Sequence, residues 1–343
     1  MNINKTAIKA VPTNIITGFL GVGKTSMMLH LLKHKPEHER WAILVNEFGE
    51  IGVDGSLFEG QQDKDSGVYI REVPGGCMCC AAGVPMQVAL NHLLKNANPD
   101  RLLIEPTGLG HPKEILTVLS SEHYQDVLAL QKIITLVDAR NLSDKRYTEH
   151  ETFKQQIAIA DTIVGNKSDL YKEDDKETLI NYCKQFASSF SSVTFSQYGA
   201  IELDALEGAT SHQINTKNGS DHAHHHHHSD KPLLSDIPLP DCGFIKAVNT
   251  GEGFTSIGWR FSEETIFDQN KISSFIWNTG AERVKTVFNT DKGMHSMNFA
   301  KDVLTEMALD YHDESRMEII FKNEDKGLNE STLEAQLMEC IRL

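Results

Sequence analysis

The sequence predicts an α/β protein: a mostly parallel sheet covered by helices on both faces, followed by a smaller α+β domain. Three observations carry this. Over about the first 200 residues, short apolar runs alternate with helical patterns, as right-handed βαβ crossovers require. A stretch rich in Ser, Asn, His, Asp and Pro then interrupts the pattern, from about Glu207 to Asp241. Apolar patterning resumes at Gly243. A length of 343 residues suits two domains at about 100–200 residues each.

The strands are read in order as Asn14–Thr17, Ala42–Val45, Val68–Val73, Leu102–Ile104, Ile133–Val137 and Thr162–Val164, each short and apolar enough to be buried. A helix follows Lys24, with Met27, Met28, Leu31 and Leu32 on one face. Another follows Gly83, with Pro85 suited to its first turn and Met86, Leu90, Leu93 and Leu94 at helical spacing. The interruption cannot build a packed core and reads as a linker. Beyond it, Phe244–Val248, Ser256–Phe261, Val284–Phe288 and Glu318–Phe321 read as strands, and Ile266–Trp277 and Ser331–Ile341 as helices.

Charge and composition exclude several classes. Lys and Arg number 33 against 48 Asp and Glu, a formal net charge of −15. Such a chain has no broad attraction to nucleic acid or anionic lipid, so neither is expected as a partner. No apolar run approaches the roughly 18 residues of a membrane span. Met1–Ala10 lacks the apolar region of a signal peptide. A cytoplasmic protein is expected. Of the 6 Cys, Cys77, Cys79 and Cys80 fall within four residues. A disulfide framework would spread them out, so this clustering points to metal chemistry in a reducing compartment.

Gly18-Phe19-Leu20-Gly21-Val22-Gly23-Lys24-Thr25 matches G-x-x-x-x-G-K-[ST] in full, between a strand and a helix. The glycines let backbone N–H groups wrap phosphates, and the helix N-terminus adds its positive dipole end. Lys24 suits the β- and γ-phosphates and the Thr25 hydroxyl suits Mg²⁺. Gly18, Gly21, Val22, Gly23, Lys24, Thr25 and Ser26 are therefore the expected phosphate contacts, and the first domain is expected to be a P-loop NTPase domain. Asn166-Lys167-Ser168-Asp169 follows a later strand. An aspartate there accepts from guanine N1–H and N2–H together, and adenine has no such donor pair. Asn166, Lys167 and Asp169 thus favour GTP over ATP. Leu102–Ile104 runs into Glu105-Pro106-Thr107-Gly108. An acid at that strand end can hold Mg²⁺ through water or position the attacking water, and the Gly108 N–H suits the γ-phosphate. Lys24, Thr25 and Glu105 are the candidate catalytic residues. An ordinary strand-end turn is the competing reading of the last motif.

Together, the P-loop, the Glu105-x-x-Gly108 motif, the late Asn166-Lys167-x-Asp169 and Cys77-Met78-Cys79-Cys80 between them resemble the GTPase family that groups CobW-like proteins with the nickel-insertion proteins HypB and UreG. Asn46-Glu47-Phe48-Gly49-Glu50, Pro74-Gly75-Gly76 before the cysteines, and Glu105 through Pro112 resemble its CobW-like metallochaperone branch in particular. The resemblance covers essentially the whole chain. It implies a GTPase domain at 1–206, a flexible His-rich linker at 207–242 and a CobW-like C-terminal α+β domain at 243–343. It also implies GTP, Mg²⁺ and Zn²⁺ as ligands and apo-metalloproteins as clients. Metal- or nucleotide-dependent self-association is a further expectation, which the resemblance does not carry.

Three thiolates as close as Cys77, Cys79 and Cys80 can converge on one cation. Sulfur suits Zn²⁺ or Cu(I), and tetrahedral Zn²⁺ needs one further ligand. Glu47, Glu50, Asp54 and His111 are the candidates, with Glu50 favoured. His222 and His224–His228 suit loose, polydentate loading of Zn²⁺ or Ni²⁺, although a solvated linker would show the same residues. Cys183, Cys242 and Cys340 stand alone and are expected to take no part in metal binding. The cysteine loop lies in sequence between two nucleotide-sensing segments, Asn46–Asp54 and Glu105–His111. GTP state would thereby control zinc release to a client. A zinc store with GTP-regulated assembly, or a chaperone for cobalt, nickel or a cobalamin pathway, is the alternative.

Overall fold

The computed structural model describes residues 8, 10–45, 67–73, 84–212, 238–240, 242–251, 253–300, 303–309, 314–323 and 330–342. Glu47, Glu50, Asp54, Cys77, Cys79, Cys80 and the histidines at 222–228 lie outside the described residues. The chain divides into two compact units, one formed by described residues up to 212 and the other by those from 238 onward.

The first unit is a parallel sheet with strands β1 (Val11–Gly18), β2 (Trp41–Val45), β3 (Val68–Glu72), β4 (Arg101–Glu105), β5 (Leu128–Leu130), β6 (Ile134–Val137), β7 (Thr162–Gly165) and β8 (Ser192–Phe195). The order is β3-β2-β4-β1-β6-β7-β8, with β5 also on β1. All these pairings are parallel. Every residue of β2 and β4 is buried, so both faces are covered, and Trp41–Val45 of β2 and Leu102–Ile104 of β4 are unbroken apolar runs. Helices α1 (Lys24–Lys33), α2 (Val84–Ala97), α3 (Pro112–Leu119), α4 (Glu151–Ala158) and α5 (Asp175–Phe186) alternate with them. Met86, Leu90, Leu93 and Leu94 of α2 and Ile115, Leu116 and Leu119 of α3 pack with Ile15, Ala42, Leu44, Leu102 and Ile104 in one core.

Two short strands escape the sequence pattern. Leu128–Leu130 spans three residues, and edge strand β8 alternates exposed and half-buried positions instead of forming an apolar run. The unit also reaches further along the chain than composition suggests. Glu207 pairs with Arg101, the Gly208 N–H donates to Gln131 Oε1 at 3.1 Å and Ala209 bridges Gln131. Asp161 closes this segment. Its Oδ1 accepts from Ser211 N at 2.9 Å and Ser211 Oγ at 2.5 Å, and its Oδ2 accepts from Ile133 N at 2.8 Å.

Burial opposes ionisation of Asp161, but the hydrogen bonds from Ile133 and Ser211 outweigh it and hold the carboxyl below its ordinary value. A carboxylate whose pKa is depressed by folding stabilises the fold above its unfolded pKa and stops doing so as pH falls through the folded one. The melting temperature of Asp161→Asn is therefore expected to lie below that of the native chain at neutral pH. The gap should narrow below about pH 4, the ordinary carboxylate range. A gap independent of pH down to pH 3 would contradict this.

The second unit is an antiparallel sheet of six strands, β9 (Phe244–Gly251), β10 (Phe254–Phe261), β11 (Arg283–Thr290), β12 (Gly293–Ala300), β13 (Val303–Ala308) and β14 (Ser315–Lys322), ordered β13-β12-β11-β14-β10-β9. Helices α6 (Gln269–Asn278) and α7 (Glu330–Met338) cover one face. Ile272, Phe275, Ile276, Leu333 and Leu337 pack there on Ile257, Trp259, Phe261, Met317 and Ile319. Helix α6 starts three residues later than the apolar pattern suggests, because Phe267 bridges Thr290 and Ile341 and Asp268 caps the helix by accepting from Lys271 N at 3.0 Å. Strands β12 and β13 were not evident as apolar runs, since His295, Asn298, Thr305 and Glu306 interrupt them.

Candidate nucleotide site at the carboxyl edge of the parallel sheet

Because the strands are parallel, their following loops gather at one edge, where α/β sheets bind ligands. Strand β1 ends in Gly18 at φ 143°. A Cβ there would lie 2.5 Å from the Leu136 carbonyl oxygen on neighbouring β6, so only glycine lets β1 turn away at that point. Gly21 and Gly23 follow with φ of 71° and 98°. Helix α1 then begins at Lys24, with Gly23 as N-cap, no side chain capping it and no acid in its first turn. Such a helix start favours an anion as its ligand.

Lys24 is buried, and its Nζ donates to the carbonyls of Gly18 at 3.0 Å and Phe19 at 3.4 Å. The ammonium closes the loop on itself and sits where phosphate charge would be drawn. Thr25 Oγ1 donates to Glu105 Oε1 at 3.2 Å, both side chains being buried. Glu105 reaches this position because β4 lies directly beside β1, with Ile104 paired to Ile15. A hydroxyl and a carboxylate adjoining at the start of a phosphate-type loop form a hard oxygen pair suited to Mg²⁺. Among the described residues, no group of three or more His, Cys, Asp or Glu side chains could hold a metal ion by itself.

Gly108 presses on the loop from the side: a Cβ there would meet the Leu20 nitrogen at 2.8 Å. Its own carbonyl accepts from the buried Gln156 Nε2 at 3.0 Å. His111 stands half-buried at the N-cap of α3, with Nδ1 3.2 Å from Gln155 Oε1.

Asn166 follows β7 and is fully buried. Its Nδ2 donates to the Val22 carbonyl at 2.8 Å and its Oδ1 accepts from Gly199 N at 3.0 Å. The amide thus ties the phosphate-type loop to the turn after β8. Gly23 has no Cβ because one would sit 2.5 Å from this Nδ2. Lys167 adopts φ 60° and places Nζ 3.9 Å from Asp138 Oδ2. Asp169 is exposed, with its carboxylate open to a ligand.

Three features of this edge were not read from the sequence. Asp138, at the end of β6 and almost fully buried, takes a bidentate pair from Arg140 at 2.9 and 2.6 Å. Hydrogen bonding to Asp138 holds the Arg140 guanidinium above its ordinary value, and Asp169 adds to this. An acid right after a buried strand was the available signal. Phe19 is buried in the loop and meets Tyr147, His150 and Phe153 edge-on at 5.0, 5.0 and 6.2 Å. Only the fold brings those rings together. The third is the turn Ser196–Ala200. The Ser196 carbonyl accepts from Ser168 N at 3.0 Å, and Gly199 rests on α1. Away from the site, burial pushes the Cys183 and Cys340 thiols up to about 11, which keeps them protonated at neutral pH.

The family described as "CobW/HypB/UreG, nucleotide-binding domain" matches residues 12–193. The chain is 40% identical over 293 residues to the zinc chaperone YeiR of Escherichia coli (strain K12), covering 85% of this chain and 87% of that protein. It is 25% identical over 265 residues to the zinc chaperone CobW of a Sinorhizobium species, covering 67% and 75%. The crystal structure of Zn(II)-bound YjiA GTPase from E. coli aligns with 97% of this chain and 99% of that one, at 20% identity and a TM-score of 0.41.

Proposed function

The chain belongs to the CobW/HypB/UreG family, and from that membership we propose that it is a GTP-hydrolysing zinc metallochaperone. The observation that carries the nucleotide half is the pairing of Thr25 with Glu105 at the uncapped start of α1, beside the buried Lys24. In this reading the N–H groups of Gly21, Val22, Gly23, Lys24, Thr25 and Ser26 receive the phosphates. Lys24 leaves the Gly18 and Phe19 carbonyls to neutralise the β- and γ-oxygens. Thr25 and Glu105 hold Mg²⁺, which when bound neutralises charge on the transferring phosphoryl group. Gly108, packed against Leu20, aims its N–H at the γ-phosphate. Asp169 takes the guanine N1–H and N2–H, Lys167 lies along the base, and Asn166 holds the two loops in register.

Zinc is the cargo. Cys77, Cys79 and Cys80 are its proposed ligands, with Glu50 as a further one, and the client is an apo-metalloprotein recognised through the domain at 243–343. Both relatives above carry the name zinc chaperone, and the thiolate set suits zinc. No helix among the described residues is long and apolar enough to cross a membrane. A cytoplasmic location, a C-terminal domain from 243, and metal- or nucleotide-dependent self-association belong to the same reading.

Zinc affinity, measured by competition with a chromophoric chelator, tests the coupling. The GTP-analogue and GDP forms should differ by at least about fivefold, the usual lower range of coupling between two sites. Equal affinities would remove the coupling. Replacing Cys77, Cys79 and Cys80 together by serine should abolish stoichiometric zinc binding and leave GDP affinity intact. Retained zinc binding would place the site elsewhere. A store would load several ions through His222–His228 and activate no apo-enzyme, so stoichiometry and client activation separate the two functions.

A further inference from the structure

The turn after β8 holds an aromatic residue that the phosphate chemistry does not use. Tyr198 is 76% exposed and adopts φ 55°, a left-handed conformation uncommon for a bulky side chain. Its surroundings account for the backbone. The residue after it must be glycine, because a Cβ on Gly199 would lie 2.5 Å from Met27 N and 2.6 Å from Met27 Cα on α1. Gly199 N is held by Asn166 Oδ1 at 3.0 Å. On the other side, Ser196 N donates to the Gly165 carbonyl at 3.0 Å, and Ser196 Oγ closes the turn on the Ala200 carbonyl at 2.7 Å. The main chain at Tyr198 is thus fixed from both ends. The ring gains no burial in return for the conformation it imposes. Such outliers persist where the surroundings over-determine them, and they cluster at ligand sites.

The neighbours say what a ring at this place can meet. The Ser196 carbonyl accepts from Ser168 N, which joins the Tyr198 turn to the Lys167–Asp169 turn. Asp169 is exposed there, while the head of Lys167 is drawn toward Asp138 at 3.9 Å. A purine whose Watson–Crick edge meets Asp169 has two flat faces to desolvate, and the Lys167 stem can cover one. We propose that the Tyr198 ring packs against the base of the bound nucleotide and contributes affinity for the base but not for the phosphates. This rests on the guanine-nucleotide reading of the same edge. Stacking is tolerant of base identity, because every base has a π-face. Tyr198 would therefore strengthen guanine and hypoxanthine nucleotides alike, and Asp169 would choose between them.

The test compares GDP, IDP and inorganic pyrophosphate on the full chain, by calorimetry and by displacement of a fluorescent GDP analogue. Tyr198→Ala should weaken GDP and IDP equally, by roughly ten- to a hundredfold, and leave pyrophosphate unchanged. Tyr198→Phe should match the native chain. Tyr198→Gly removes the ring and the unfavourable φ together, so it should lose the same base affinity without a lower melting temperature. Tyr198→Trp should bind GDP normally and change its emission on binding. Unchanged GDP affinity in the Ala and Gly variants would overturn the proposal, as would an equal loss of pyrophosphate. Asp169→Asn separates this from the guanine reading: a gain of XDP at the expense of GDP keeps the guanine site even if Tyr198 proves inert. If neither the Asp169 nor the Tyr198 variants alter base affinity, the guanine assignment itself falls.

Discussion

Lys24→Ala is expected to lower GTP affinity by about a thousandfold. Two charge-assisted hydrogen bonds to phosphate, at about 2 kcal/mol each, amount to about 4 kcal/mol, and 1.4 kcal/mol is a factor of ten. The buried position of Lys24 makes the loss hard to repair. Water entering behind an alanine can solvate the Gly18 and Phe19 carbonyls but supplies no charge. Titration with a fluorescent GTP analogue measures the effect. Chelator competition on the same variant should return the native zinc affinity of the nucleotide-free chain, since the proposed zinc ligands are the thiolates of Cys77, Cys79 and Cys80. A variant that loses both ligands together would indicate a collapsed domain. A loss of GTP affinity below tenfold would mean that the backbone N–H groups alone bind the phosphates.

Asn166→Ala is the second large effect, and it acts on stability as well as binding. The substitution strands the Val22 carbonyl and the Gly199 N–H in a place water scarcely reaches. An orphaned buried group costs about 1–3 kcal/mol, so the pair costs about 4 kcal/mol, a large share of the roughly 5–15 kcal/mol that keeps a domain folded. Asn166→Asp retains the acceptor for Gly199 N but sets a carboxylate against the Val22 carbonyl, so it should not rescue. Urea denaturation of both variants, with and without saturating GDP, checks this. The midpoint should fall by a similar amount in both, and GDP should restore part of it. If Asn166→Asp proves as stable as the native chain, the contact to Val22 carries no weight.

Residues 14–26 were legible because a glycine at positive φ leaves a mark that no other residue can leave, and Gly18, Gly21 and Gly23 all stand there. Strands β2 and β4 were legible because burial on both faces demands uninterrupted apolar side chains. Strands β5, β8, β12 and β13 are short or carry polar interruptions, so their apolar content fell below what a run of hydrophobic residues announces. Asn166 shows a different limit. Its motif placed it at the base, whereas its buried amide spans two loops, a role that depends on Gly199 arriving from 33 residues away. Phe19 escaped for the same reason, since its ring partners come from residues 147–153, whereas Asp138 carried a local signal, an acid right after a buried strand with Arg140 two residues on. The cysteine motif was read from the sequence alone.

The order of strands in the parallel sheet has a consequence for how the chain is made. Strand β1 leaves the ribosome first, yet Thr13 pairs with Leu102 and Ile16 with Ile134. The phosphate loop therefore cannot take its final shape until β4 and β6 have been synthesised, and Asn166 and Gly199 come later still. Long-range parallel pairing is slow, so the nascent chain exposes the bare edges of β1 while synthesis runs at about 5–20 residues per second. Its nucleotide site is complete only once Gly199 has been made, after every strand of the parallel sheet and before any strand of the antiparallel one.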